Sequence, residues 1–146
     1  MPLLGFTVFK NKILDGTKTQ TIRKIRKHKI KLGDHLYIYW HLRQKDCVKL
    51  GDATCRDVFT IRIEQVYWLG KQRLKIDYFN LHPNKEDERW VDLWTPFTED
   101  AIEQIARLDG FLNSYEMLQF FSKHYKLPEA FQLIRWYPLV ATNGVQ

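Results

Sequence analysis

The chain has 146 residues, 45% of them hydrophobic and 14% aromatic, with a formal net charge of +6. That length fits one domain, and the apolar content excludes a disordered chain, which needs low hydrophobicity and high net charge. No apolar run approaches the about 20 residues of a membrane-spanning helix, so a membrane is not an expected partner. Met1 to Phe9 carries neither a basic segment nor a small-residue cleavage site, and the expectation is a cytoplasmic protein rather than a secreted one.

In chain order, Leu3 to Val8 reads as a short strand. Phe9 to Leu14 forms a helical turn or two, closed by Asp15-Gly16, since Gly suits the left-handed position after a helix. Thr19 to Arg23 reads as a strand by its β-branched content. Gly33-Asp34 makes a turn, and Leu36 to Trp40, rich in aromatics and Ile, is a strand. Asp57 to Tyr67 alternates, with Phe59, Ile61 and Ile63 on one face and Thr60 and Arg62 on the other. The polar stretch from Leu81 to Glu88 reads as a surface loop, inside an insertion of about residues 71–97 in a single domain spanning 1–146.

Two helices follow. Thr98 caps the first, with Glu99 and Asp100 in the opening turn, where the helix dipole favours anions. Ile102, Ile105, Ala106 and Asp109 share one face at i, i+3, i+4 and i+7. Asn113 caps the second, with Glu116 three residues on, and Met117, Phe120 and Phe121 form its apolar face. Phe131 to Tyr137 is a late strand ended by Pro138. Strands on both sides of a helical pair, without regular βαβ alternation, predict an α+β fold with a mostly antiparallel sheet or small barrel.

Cys47 and Cys55 are eight residues apart, without a CxxC pair, and none of the five histidines sits beside paired cysteines. The expectation is two reduced thiols and no metal or cofactor.

Charge is concentrated. Seven of the fourteen residues from Lys18 to Lys31 are basic (Lys18, Arg23, Lys24, Arg26, Lys27, Lys29 and Lys31), and none is acidic. A stripe of this kind predicts a phosphate backbone or a nucleotide as partner. Strand alternation places Thr19, Thr21 and Arg23 on one face, and Lys18 joins Thr21 only if the turn after Gly16 redirects it. A lysine beside a hydroxyl acts as base to a threonine nucleophile when burial or a neighbouring cation lowers its pKa. Arg23 suits bidentate contact with a phosphate or oxyanion. Tyr37, Tyr39 and Trp40 offer faces for stacking on a base, although strand aromatics belong equally to a core.

Asp109 continues a buried stripe in the last turn of its helix, just before Gly110, where burial and the dipole both raise a carboxyl pKa. Either it turns to solvent at a frayed end, or it needs a cation, for which Lys18 and Arg23 are the candidates.

Ile13-Leu14-Asp15-Gly16-Thr17-Lys18-Thr19-Gln20-Thr21-Ile22-Arg23, followed by Lys31-Leu32-Gly33-Asp34-His35-Leu36, resembles the signature of the ASCH domain family: Lys-Thr-x-Thr-x-Arg, then a Gly-Asp turn entering a strand. Leu42-Arg43 with Cys47 to Ala53 is similar to a segment of archaeal-type members, and Leu108-Asp109-Gly110-Phe111 falls where the family carries an acid followed by Gly. The resemblance implies a PUA-like fold, a small mixed or antiparallel β-barrel with helices packed at its rim. It also implies an RNA- or nucleotide-binding protein with a basic cleft. Thr19, Arg23, Lys24, Arg26, Lys27, Lys29, Tyr39 and Arg43 would be the ligand-binding residues. One bacterial branch hydrolyses the acetyl amide of 4-N-acetylcytidine. Carried over, its catalytic set becomes Lys18 as base, Thr21 as nucleophile and Asp109 as acid, with Asp one methylene shorter than the Glu of that branch. A ribonuclease is a further alternative. The segment 71–97 is extra relative to the compact bacterial enzymes. Oligomeric state is left open.

Overall fold

A computed structural model describes residues 3–83 and 90–139, and for 80–83 and 90–94 the backbone alone. The architecture is α+β. Its elements are β1 (Leu3–Phe6), α1 (Lys10–Leu14), β2 (Gln20–Lys24), β3 (His35–Trp40), β4 (Val48–Trp68), β5 (Lys71–Pro83), β6 (Trp90–Pro96), α2 (Glu99–Leu108), α3 (Ser114–His124) and β7 (Glu129–Trp136).

The 21-residue β4 organises the sheet. It is about twice the length of a long strand, and it holds that length by changing partners. Its first part pairs antiparallel with β3, Cys55–Ile63 pairs with β7, and Ile61–Trp68 pairs with β5. A register break between Cys55 and Asp57 lets the ribbon bend where β7 takes over from β3, and another between Ile38 and Tyr39 interrupts the β3–β4 ladder. β1 lies parallel to β3, and β2 lies antiparallel to β7.

The sheet is open. Among the described residues β1, β2 and β6 each pair along one edge only, so the expected closed barrel does not form. Side chains span the gap between β1 and β2 instead. Arg23 Nη2 donates to the Gly5 carbonyl at 2.5 Å, and Arg26 Nη2 donates to the Leu3 carbonyl at 2.8 Å. Two guanidinium groups thus supply hydrogen bonds that a neighbouring strand would otherwise give.

Residues 71–97, expected as an insertion with a surface loop at 81–88, carry strands. β5 extends β4 through a tight turn, with positive φ at Leu69 and Gly70, and β6 pairs with β5 out to Pro83 and Trp90. Residues 84–88 of that loop lie outside the described residues. The first half of β4, with most of its side chains half or fully exposed, is likewise a strand that alternation alone does not mark.

Two apolar clusters fill the fold. One places Ile102, Ile105 and Ala106 of α2 and Met117 and Phe121 of α3 against Ile61, Ile63, Ile76, Phe131 and Leu133 of the sheet. The other packs Leu4, Ile13, Ile30, Leu36 and Ile38 against Ile134 and Trp136. Full burial of a side chain such as Phe131 contributes about 2 kcal/mol. Both helix caps form where the sequence places them: Thr98 Oγ1 accepts from Ala101 N at 3.2 Å and Asn113 Oδ1 from Glu116 N at 2.9 Å. One position differs. Leu118, not Phe120, completes the buried face of α3, which leaves Phe120 at the surface.

Candidate functional site

The turn after α1 brings Lys18 inward. Gly16 takes φ 85, a left-handed conformation that Gly adopts without Cβ strain. Asp15 Oδ1 accepts from the Thr17 N–H at 2.8 Å, and Lys18 N donates back to the Lys12 carbonyl at 2.9 Å. The chain thereby reverses before β2 and delivers the Lys18 side chain, only 3% exposed, to the end of α2.

Asp109 is the C-terminal cap of α2 and is buried. Lys18 Nζ donates to the Asp109 carbonyl and lies 3.5 Å from Asp109 Oδ1. Lys12 Nζ donates to the next carbonyl, Gly110 O, at 2.7 Å. Two lysines therefore satisfy carbonyls at a helix C-terminus, where the dipole attracts cations. They also offset the unfavourable placement of a carboxylate there. Gln20, fully buried, donates from Nε2 to the Ile105 carbonyl at 2.9 Å and ties β2 to the same helix end.

Burial pulls the Lys18 amine below its ordinary value, and the Asp109 charge opposes that effect. Burial pushes the Asp109 carboxyl up, against the opposing charge of Lys18. Each group is held toward neutrality by loss of water and toward charge by the other. Asp109 Oδ1 has no hydrogen-bond partner.

Thr21 and Arg23 share a face of β2. Arg23 Nε donates to Thr21 Oγ1 at 3.0 Å. The hydroxyl thus accepts from the guanidinium, and its own proton remains for a ligand. Burial lowers the Arg23 pKa, and the guanidinium carbon stacks 4.6 Å from the Phe6 ring. Lys18 makes no hydrogen bond to Thr21 among the described residues.

Lys18, Thr21, Arg23 and Asp109 line one pocket of about 250 Å³, walled by aromatic rings including Phe6, Phe9, Phe111, Phe120 and Tyr125. Phe9 holds φ 65, a conformation that is strained for a bulky side chain. Its ring meets Phe111 edge-on at 5.6 Å, and a Cβ added at Gly110 would lie 2.7 Å from that ring. Gly110 is therefore required at this close approach as well as by its φ of 110.

The remaining expected residues lie elsewhere. Thr19 is half-buried, and its carbonyl accepts from Trp136 N at 2.9 Å. Lys24 pairs with Glu129 at 3.4 Å, Arg26 bridges to β1, and Lys27 and Lys29 are exposed. Tyr39 is half-buried on β3, and Arg43 is exposed with φ 69. Trp40 stacks on His41 at 4.3 Å, and Lys49 Nζ lies 5.2 Å from the Tyr37 ring. None of these residues lines the pocket. The basic stripe is thus divided: Lys18 and Arg23 face the pocket, Lys24 and Arg26 serve the fold, and the rest faces solvent.

Sequence reasoning missed Gln20 and the aromatic walls. Thr-x-Thr alternation marks Gln20 as an inward residue of β2, but nothing local indicates that its partner is a helix carbonyl. Among the described residues no group of three or more His, Cys, Asp or Glu stands together to hold a metal. Cys47 is exposed, Cys55 is buried, and both are free thiols. No helix of the described residues is long and apolar enough to cross a membrane. No protein-family model, curated protein or solved structure matches the chain.

Proposed function

We propose that the chain binds RNA or a nucleotide and seats a base or nucleoside in the pocket formed by Lys18, Thr21, Arg23 and Asp109. The observation that carries this reading is the pairing of aromatic walls with a polar floor in one pocket. The rings supply faces on which a base stacks, worth about 1–3 kcal/mol per base. The free Thr21 proton supplies a donor for a base edge, and the Lys18–Asp109 pair supplies charge at the pocket floor. Exposed Lys27 and Lys29 extend the positive surface for phosphates. The reading includes the resemblance to ASCH domains, a PUA-like fold and a cytoplasmic protein. The guanidinium bridges from β2 to β1 support the fold assignment, because they draw together two edges that a barrel would pair.

Titration with nucleosides and with single-stranded RNA tests the proposal. Phe120, at the pocket mouth and 37% exposed, can be truncated without opening the core. Phe120→Ala is expected to weaken binding about tenfold. Absence of binding to every nucleoside and RNA tried, or binding indifferent to Phe120→Ala and Thr21→Val, rejects it.

A second reading is hydrolysis of the acyl amide of a 4-N-acetylcytidine-type nucleoside, with Thr21 as nucleophile, Lys18 as base and Asp109 as acid. The observation that favours it is the opposed displacement of the two pKa values, Lys18 down and Asp109 up. Since Lys18 and Thr21 share no hydrogen bond in the free protein, the ligand must bring them together. Release of cytidine, abolished by Lys18→Ala, tests it, and no turnover by the folded protein rejects it.

A further inference from the structure

We propose that Lys18 captures carbonyl compounds: the pocket takes a small aromatic or heteroaromatic aldehyde or ketone and holds it as an iminium on Lys18 Nζ, with Asp109 as the acid. This activity goes beyond nucleotide binding and amide hydrolysis, in neither of which Nζ bonds to the ligand.

Three features of the site meet the requirements. The amine lines a pocket whose walls are aromatic, so an aryl carbonyl has surface to bury against. A carboxyl oxygen stands 3.5 Å from the nitrogen, a loose contact of the kind that tightens on ligand binding, and it is the group placed to move a proton between amine, carbonyl oxygen and leaving water. The rings of Phe6 and Phe9 lie 5.6 Å and 5.5 Å from Nζ and would face the cationic product. The charged groups facing Nζ are Asp109 at the end of α2, Arg23 on β2 and Lys12 on α1. The two neighbouring cations and the loss of water favour the unprotonated amine that attacks a carbonyl.

The reaction is balanced within the pocket. Nζ forms a bond to the carbonyl carbon as the C=O π pair moves to oxygen. Asp109 relays a proton from nitrogen to that oxygen, giving a carbinolamine. Protonation of its hydroxyl by the Asp109 carboxyl breaks the C–O bond and releases water, and the nitrogen lone pair forms C=N. The neutral amine, neutral acid and carbonyl become an iminium, a carboxylate and one water. The neutral amine and acid arise from the resting ammonium–carboxylate pair by transfer of one proton from Nζ to the carboxylate, a transfer that burial favours at both groups, and the product is again a buried cation facing that carboxylate.

The test is reductive trapping on the full chain at pH 7, with benzaldehyde and sodium cyanoborohydride, read by peptide mass mapping. The expected result is a benzyl group on Lys18 in preference to exposed Lys27 and Lys29. Each pKa unit by which Lys18 lies below an exposed lysine contributes about tenfold to that preference. The preference should disappear when the chain is unfolded in guanidinium. Lys18→Arg should remove the selective adduct while the exposed lysines label as before. Asp109→Asn should slow trapping about tenfold, the usual hundredfold of general-acid catalysis being partly offset by more free amine. Labelling spread evenly over the lysines, or equal Lys18 labelling in folded and unfolded chain, overturns the proposal, and an unchanged rate in Asp109→Asn overturns the acid's part. Trapping needs no nucleotide, so its failure is separate from failure of nucleotide binding. A nucleotide that does occupy the pocket should protect Lys18.

Discussion

Asp109→Asn probes the buried pair directly, because it keeps the side-chain shape and removes the charge. Lys18 Nζ and Asp109 Oδ1 are 3.5 Å apart. At an effective dielectric near 20 that separation gives about 5 kcal/mol of attraction, from 332/(20 × 3.5). Dehydration of each ion costs several kcal/mol, so the net value of the pair is smaller. The substitution strands a buried lysine, whose escape is to shed its proton, as burial already favours. The expected loss is therefore at the low end for breaking a buried pair, about 3 kcal/mol at neutral pH. For a chain of this size that lowers Tm by about 6–12 °C.

The pH dependence has a definite sign. The folded chain binds the Asp109 proton more tightly than the ordinary 3.8 implies, so this group favours folding in acid, and the benefit is lost as pH rises through the raised value. It binds the Lys18 proton less tightly than the ordinary 10.5 implies, so that group disfavours folding at low pH and recovers as pH climbs toward 10.5. The pair helps most between the two folded values, where both members are charged. The gap between wild type and Asp109→Asn should peak there and narrow on both sides. Urea denaturation at stepped pH measures it, with Asp100→Asn, on the exposed first turn of α2, costing about 0.5 kcal/mol as control. Lys18→Met combined with Asp109→Asn should cost less than the sum of the single changes, with a coupling of about 2 kcal/mol. Equal losses for Asp109→Asn and Asp100→Asn, or additive single changes, would refute the reasoning.

Gly110→Ala, at φ 110 with its new Cβ 2.7 Å from the Phe9 ring, should cost more than about 2 kcal/mol, against about 1 kcal/mol for Gly33→Ala, at φ 87 with nothing within 4 Å. Equal denaturation midpoints for the two variants would show that the close approach carries no energy. Arg26→Ala, which strips the Leu3 carbonyl of its partner, should lower stability by about 1 kcal/mol. Lys27→Ala with Lys29→Ala should leave stability within about 0.5 kcal/mol and flatten the slope of log K against log salt for single-stranded RNA by about 1.4, two contacts at about 0.7 each. An unchanged slope would take those two lysines out of the interface.

Helix caps, the buried stripe of α2 and the short strands β2, β3 and β7 are written locally. Thr98 and Asn113 meet N–H groups three residues away, and 3.6-residue periodicity places Asp109 with Ile102, Ile105 and Ala106. Such features depend on neighbours along the chain, so the residue order states them. The β5–β6 hairpin and the first half of β4 are held by cross-strand partners, and their residue pattern alone reads as an insertion or as unassigned chain. The fate of each cation was equally open. Lys18 and Arg26 both stand in the basic stripe. One meets a helix end 91 residues away and enters a pocket, while the other bridges to a strand 23 residues back. An open sheet bridged by arginines, in place of a closed barrel, follows from the same cause. Which polar groups lose water, and which partner then satisfies them, is fixed only when distant segments pack together.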